Sequence, residues 1–252
     1  MKRVLQHIFL VIIFSVMTDT TFCQEFKTAQ KEYSRVKSAY REKEIGLEEL
    51  LSAKGLSLNS LNIVICIFKK EALLEVWAKD KTRQGYLLLT TYPVCSSSGD
   101  SGPKRKEGDG QTPEGFYHIN FFNPYSNYYL SLGVSYPNAS DKILSDKKHP
   151  GGSVFIHGNC VTIGCIPITD DKIKELYILA VEAKNNGQND IPVCIFPCKM
   201  DQAKFEALKN KFKDDQGLIA FWENLKTGYD MFLKNHIIPS FSIDSKGKYI
   251  FK

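Results

Sequence analysis

The sequence predicts an α+β fold, with a β-rich central domain, a helix before it and a helical extension after it. Three observations carry this. Apolar residues recur at spacings of three and four near both ends of the chain. Runs rich in β-branched and aromatic residues bunch between Leu61 and Phe196. The 252 residues are 43% hydrophobic and 24% charged, an ordinary globular balance that suits one larger domain with appendages.

The N-terminus reads as an export signal. Lys2 and Arg3 precede an apolar run from Ile8 to Met17, and polar Thr18 to Thr21 follow. The run is shorter than the roughly 20 apolar residues that span a bilayer. Residues 1–23 are therefore expected to be a signal peptide cleaved near Cys23–Gln24. An N-terminal helix of the fold, a retained membrane anchor and lipidation at Cys23 are the competing readings. Outside the cytosol thiols tend to be oxidised. Six cysteines then remain, too sparse for a disulfide scaffold, so the core has to be hydrophobic. The formal charge is +5, and +4 without residues 1–23. That surplus demands no nucleic acid, and none is expected as a partner.

The elements follow in order. Phe26, Ala29, Tyr33, Val36 and Tyr40 mark an amphipathic helix. Gly46 is expected to interrupt it, Leu47, Leu50 and Leu51 to resume it, and Lys54–Gly55 to stop it. This segment, 24–58, should pack against the main domain. "LNIVICIFKK", "ALLEVWAK" and "GYLLLTTYPV" read as strands. A long polar stretch from Cys95 to Gly115 is either a linker or a functional loop. "FYHINFF" and "YYLSLGVSY" are further strands, with turns at Asn123-Pro124 and Pro137-Asn138. "SVFIH" is a buried strand ending at His157. A helix then starts with Thr169 as its N-cap and Asp170 and Asp171 at the positive end of its dipole. Gly187 ends it, and "IPVCIF" supplies a closing strand to a domain spanning 61–197. The extension, 198–252, holds helices near Gln202–Phe212 and Gly217–Asn235 and a hairpin turning near Asp244–Gly247.

The segment "SVFIHGNCVTIGCIPI", Ser153 to Ile168, concentrates the chemistry. His157, Cys160 and Cys165 admit three readings. A structural zinc site wants four Cys or His ligands, commonly in close pairs, which this spacing does not make. A Cys160–Cys165 disulfide would close a tight loop and disable Cys165. A nucleophilic thiol with His157 as its base is the third, because an imidazole can generate the attacking thiolate. The layout favours it. A strand delivers His157, Gly158 permits a close turn, and Gly164 permits an unusual backbone angle beside Cys165. Amides near Gly164 and Cys165 could face a developing oxyanion. Neither a metal nor another cofactor is expected.

At these residues the chain resembles the L,D-transpeptidase catalytic domain of the YkuD type. The shared pattern is His157-Gly158 followed by Thr162-Ile163-Gly164-Cys165. "FIHGNCVTIGCIPITDDKIKELY" is similar to the family's YafK-like branch, which also has a cysteine at the place of Cys160. "KRKEGDGQTPEGFYHI", "YYLSLGVSYPNASD", "FWENLKTGYDMF" and the final hairpin extend the match over nearly all of the chain after residue 23. The resemblance implies a sandwich-like catalytic domain and a cysteine acyltransferase acting on peptidoglycan stem peptides. The expected donor bond joins the third residue, often meso-diaminopimelate, to D-alanine. Cys165 would be nucleophile, His157 base, Gly164 and Cys165 amides the oxyanion hole, and Thr162 the support of the loop. The envelope of a Gram-negative bacterium, its periplasm, is the expected location. Ile163 and Pro167 depart from the wider family's polar residues there, which leaves the acceptor open between an amine and water. The first gives cross-linking. The second gives an amidase that frees peptidoglycan-linked envelope proteins. A non-catalytic peptidoglycan-binding module is a third reading.

Around the motif, Gly158, Arg105, Glu114 and His149 are candidates for shaping the substrate entrance, against a solvated-loop role for the last three. His118 is expected to be structural and His236 a helix cap. Tyr125, Tyr128 and Tyr129 are expected to pack rather than meet sugars, and Trp77 and Trp222 to be core. Cys194 and Cys198 admit a bridge that spacing alone does not assign.

Overall fold

The computed structural model describes residues 25–252, so the expected signal segment and Cys23 lie outside the described residues. After a helical stretch at 25–31 the elements run α1 (Ser34–Ser52), β1 (Asn62–Phe68), β2 (Leu73–Lys79), β3 (Leu87–Pro93), β4 (Gly115–Asn123), β5 (Ser131–Val134), α2 (Ala139–Leu144), β6 (Phe155–His157), β7 (Ile166–Pro167), α3 (Thr169–Asn185), β8 (Pro192–Phe196), α4 (Gln202–Lys211), α5 (Gln216–Asn235), β9 (Phe241–Ile243) and β10 (Tyr249–Phe251). The class is α+β. Among the described residues the strands form one eight-stranded curled sheet, ordered β3-β2-β1-β8-β4-β5-β6-β7, and the β9–β10 hairpin.

The apolar runs explain the layering. In β1, Ile63, Ile65 and Ile67 enter one core while Val64, Cys66 and Phe68 enter the other. In β8, Val193 and Ile195 divide from Cys194 and Phe196 in the same way. Side chains alternate across a strand, so a continuous apolar run feeds cores on both faces. This places β8 in the middle of the sheet, parallel to β1 and antiparallel to β4. α1 and α3 cover one face, and Trp222, Tyr229 and Phe232 of α5 cover the other. The sheet turns its corner at β4. Its first half pairs with β8, its second half with β5, and the register shifts between Ile119 and Phe121.

The N-terminal helix runs unbroken through Gly46, whose missing side chain faces open space; the break falls instead at 32–33. α1 is tied to α3 by the Tyr40 hydroxyl, which donates to Glu182 at 2.8 Å, and by Lys43 against Asp171 at 2.5 Å. Arg35 reaches further, donating to the carbonyls of Ser126 and Tyr129 at 2.6 and 2.7 Å. It thereby fixes the β4–β5 connection. Asn138, read as a turn, is also the N-cap of the short helix α2 through a complete capping box with Asp141. α3 begins at Thr169 itself, so Ile168 and not Thr169 stands at the cap position, and the Thr169 hydroxyl accepts from the Lys172 amide at 3.4 Å from within the first turn.

The C-terminal extension is held by the apolar core on its face of the sheet and by one buried carboxylate. Glu114 has no exposed surface and accepts from Lys69 Nζ at 2.9 Å, the Gly102 amide at 2.9 Å and the Trp222 indole N–H at 2.7 Å. A buried charge is tolerated only when its oxygens are hydrogen-bonded. Trp222→Phe keeps an aromatic ring in the core but removes the five-membered ring with its N–H donor to Oε2. It is expected to lower the unfolding free energy by about 1.5–3 kcal/mol. Urea unfolding of the two proteins reads this, and coincident curves would show that the indole bond contributes nothing.

Candidate active site

His157 closes β6, where Ser131 of β5 faces it across the antiparallel pair. The chain then loops through 158–165 and re-enters the sheet at Ile166, in parallel beside β6. The short return brings Cys165 back beside the strand it left. His157 and Cys165 line one cavity of about 180 Å³, with Asn123, Ser126, Tyr128 and Phe155 among its other walls. Cys165 also lines a second cavity of about 250 Å³, bounded by Lys70, Ser96, Ser98, Asp100 and Thr112. The thiol therefore sits where two cavities meet.

The loop is held at both ends. A Cβ on Gly158 would lie 2.4 Å from Asp170 Oδ1 and 2.7 Å from the Tyr128 carbonyl, so no larger residue fits without moving backbone. Asp170, in the first turn of α3, accepts from the Asn159 amide at 2.8 Å. Gly164 has φ +133, in the left-handed region that glycine tolerates best, and a Cβ there would stand 3.0 Å from the Gln111 carbonyl. The Thr162 hydroxyl braces the turn by accepting from the Gly164 amide at 3.1 Å and donating to the Cys165 carbonyl at 2.8 Å. Cys160 is bridged to Cys95 at the start of the long polar loop, with a Cα–Cα distance of 5.5 Å. A Cys160–Cys165 bond is thereby excluded, and Cys165 carries a free thiol. Cys194 and Cys198 are likewise free, not bridged to each other.

The electrostatics define the resting protonation state. His157 is 1% exposed, and its ring stacks on Tyr128 with centroids 4.6 Å apart. Its Nδ1 faces the Gly158 carbonyl oxygen, which can only accept. Nδ1 therefore carries the hydrogen and Nε2 the lone pair. Burial lowers the imidazole's pKa below its ordinary 6.5, with the Gly158 bond opposing. Burial raises the Cys165 thiol above its ordinary 9.0, against the Phe155 amide and the charge of Lys104. The thiol donates to the Ser153 carbonyl at 3.6 Å. Both groups thus rest neutral rather than as a thiolate–imidazolium pair.

Arg105, Glu114 and His149 line neither cavity. Glu114 organises the polar loop from beneath. The Arg105 guanidinium bonds Asp141 at 3.1 Å and lies 4.8 Å from the Phe221 ring centroid. His149 is exposed, and its amide donates to Asp146. Tyr128 packs, and the surface it packs against is the imidazole of His157. No local sequence pattern joins Cys160 to its partner Cys95, 65 residues away. His236 caps α5 with φ +53, and Trp222 is core, as expected, while Trp77 is only partly buried.

The family model for the L,D-transpeptidase catalytic domain, YkuD, matches residues 62–191. The chain belongs to the YkuD family of L,D-transpeptidase catalytic domains. The matched span holds the curled sheet apart from β8, together with His157, Cys165 and both cavities. The chain is 37% identical over 191 residues to the "Putative L,D-transpeptidase YafK" of Escherichia coli K12 and to its namesake of strain O157:H7. Each alignment spans 75% of this chain and 73% of the relative. Among solved structures, the helical cell shape determining protein Pgp2 of Campylobacter jejuni aligns with 79% of this chain and 80% of its own. Its TM-score is 0.42 and its identity 18%.

Among the described residues Cys165 is the free cysteine that is not wholly buried, since Cys66, Cys194 and Cys198 all are. Its alkylation by iodoacetamide is expected to rise with pH to a midpoint above 9.0, because burial opposes the thiolate. Peptide mass spectrometry across pH 5–11 measures this. A rate already at plateau below pH 7 would instead reveal a preformed ion pair with His157.

Proposed function

We propose that this protein is an exported cysteine acyltransferase that acts on peptidoglycan stem peptides through a thioester at Cys165. The observation that carries the reading is a free thiol and a buried imidazole on the walls of one cavity, within an L,D-transpeptidase domain. The Cys95–Cys160 bridge supports export, since such bonds persist in oxidising compartments.

The chemistry follows from the resting state. Cys165 Sγ attacks the carbonyl carbon of the donor amide while its proton passes to His157 Nε2. The carbonyl oxygen takes the negative charge. With the Gly164 amide already donating to Thr162, oxyanion stabilisation falls to the Cys165 amide. Collapse breaks the C–N bond, and the leaving amine takes the proton from His157. The acceptor then enters on the same side, gives its proton to Nε2 and attacks the thioester, and Cys165 recovers its hydrogen. An amine acceptor gives a cross-link. Water gives a free carboxylate. A neutral His157 suits this work, because only the neutral ring can take the thiol proton.

The test is product analysis on isolated sacculi and on a disaccharide-tetrapeptide. Wild-type protein should release D-alanine and yield either cross-linked or carboxyl-terminated muropeptides. Cys165→Ala should lower turnover by about 10³-fold or more. Equal muropeptide profiles with the two proteins would refute the acyltransferase and leave a module that only binds the wall.

A further inference from the structure

The two cavities that meet at Cys165 are chemically unlike. One holds His157, and the other holds no histidine but does hold charges. In the acyltransferase reading the leaving amine must take its proton from His157, so it departs on the His157 side. The acceptor gives its proton to the same nitrogen and enters by the same side. The acyl half of the substrate is therefore left on the other side of Cys165, in the cavity of about 250 Å³.

That cavity has two lysines on its wall, and they are not equivalent. Lys69 Nζ is fully occupied: it donates to Glu114 at 2.9 Å and to the carbonyls of Gly102 and Thr112 at 2.7 and 3.0 Å. Those three bonds exhaust an ammonium's donors. Lys70 is exposed, and among the described residues its ammonium makes no ion pair or hydrogen bond. Asp100, on the polar loop lining the same cavity, is exposed and likewise has no such partner among the described residues. Lys70 and Asp100 thus present opposite charges to one cavity without neutralising each other. The serines beside Asp100 and Thr112 add hydroxyl groups to the same wall.

We propose that Lys70 and Asp100 are specificity-determining residues that bind a zwitterionic amino-acid head group on the acyl half of the substrate, Lys70 taking its carboxylate and Asp100 its ammonium. This rests on the acyltransferase reading above. A substrate whose third residue ends in both groups, as meso-diaminopimelate does, satisfies both charges at once. One ending in an ammonium alone, as lysine does, leaves Lys70 unpaired.

The experiment compares two tetrapeptides, identical except for meso-diaminopimelate or L-lysine at the third position, with wild-type, Lys70→Met, Lys70→Arg and Asp100→Asn proteins. Both residues are exposed, so the variants should fold, and circular dichroism checks it. Wild type is expected to favour the diaminopimelate peptide in kcat/KM by about two- to fivefold, the size of an exposed ion pair. Lys70→Met should bring that ratio close to 1 through a raised KM with kcat little changed, and Lys70→Arg should restore it. Asp100→Asn should weaken both peptides alike and keep the ratio. A ratio unchanged in Lys70→Met, or a loss confined to kcat, would overturn the assignment. If wild type turns over neither peptide and forms no thioester, the acyltransferase reading itself fails, and the head-group assignment falls with it.

Discussion

The site depends on one topological constraint: β6 and β7 are parallel neighbours joined only by residues 158–165. Parallel strands ordinarily need a crossover of a dozen or more residues, usually with a helix. Here the chain leaves the sheet after His157 and returns before Ile166, so its loop is tight and its two reactive residues end on one cavity. The tightness explains the composition. Gly158 has no room for a side chain, Gly164 takes a left-handed angle, and Thr162 fills the bend with one hydroxyl that both accepts and donates. A loop this short has few conformations to lose, which keeps the thiol and imidazole in a fixed relation.

The rest of the molecule braces that loop from three directions. α3 supplies Asp170 to the Asn159 amide. The polar loop supplies Cys95 to Cys160. The N-terminal helix supplies Arg35 to the carbonyls of Ser126 and Tyr129, which bracket the Tyr128 that stacks on His157. The C-terminal extension acts at one remove. Trp222 holds Glu114, and Glu114 holds the Gly102 amide and Lys69 on the wall of the larger cavity. The appended helices are therefore continuous with the site's support.

Much of this was legible in the sequence, for physical reasons. The strands β1 to β3, the helix α3 and the final hairpin announce themselves by apolar period and turn residues. His157 and Cys165 stand out because glycines flank them at the turns. What the sequence hid is long-range. The apolar run of β8 announces burial on both faces, but its neighbours β1 and β4 are distant in sequence and no local pattern names them. Cys95 lies 65 residues from Cys160, and no local pattern joins them. Glu114 sits in a polar run that reads as solvated, yet it is completely buried and meets three donors, from the turn after β1, the polar loop and α5. Tyr128 is one of a tyrosine cluster, and only the fold separates it from Tyr125, which is 73% exposed.

In the proposed reaction Cys165, served by a neutral His157, carries the acyl group. Intact-protein mass spectrometry after acid quench during incubation with a disaccharide-tetrapeptide tests it most directly. An adduct equal to the substrate less one alanine is expected, mapped to the peptide containing Cys165. It should be missing in Cys165→Ala and slow to form in His157→Ala. Turnover without such an adduct, or an adduct on any other residue, would contradict it.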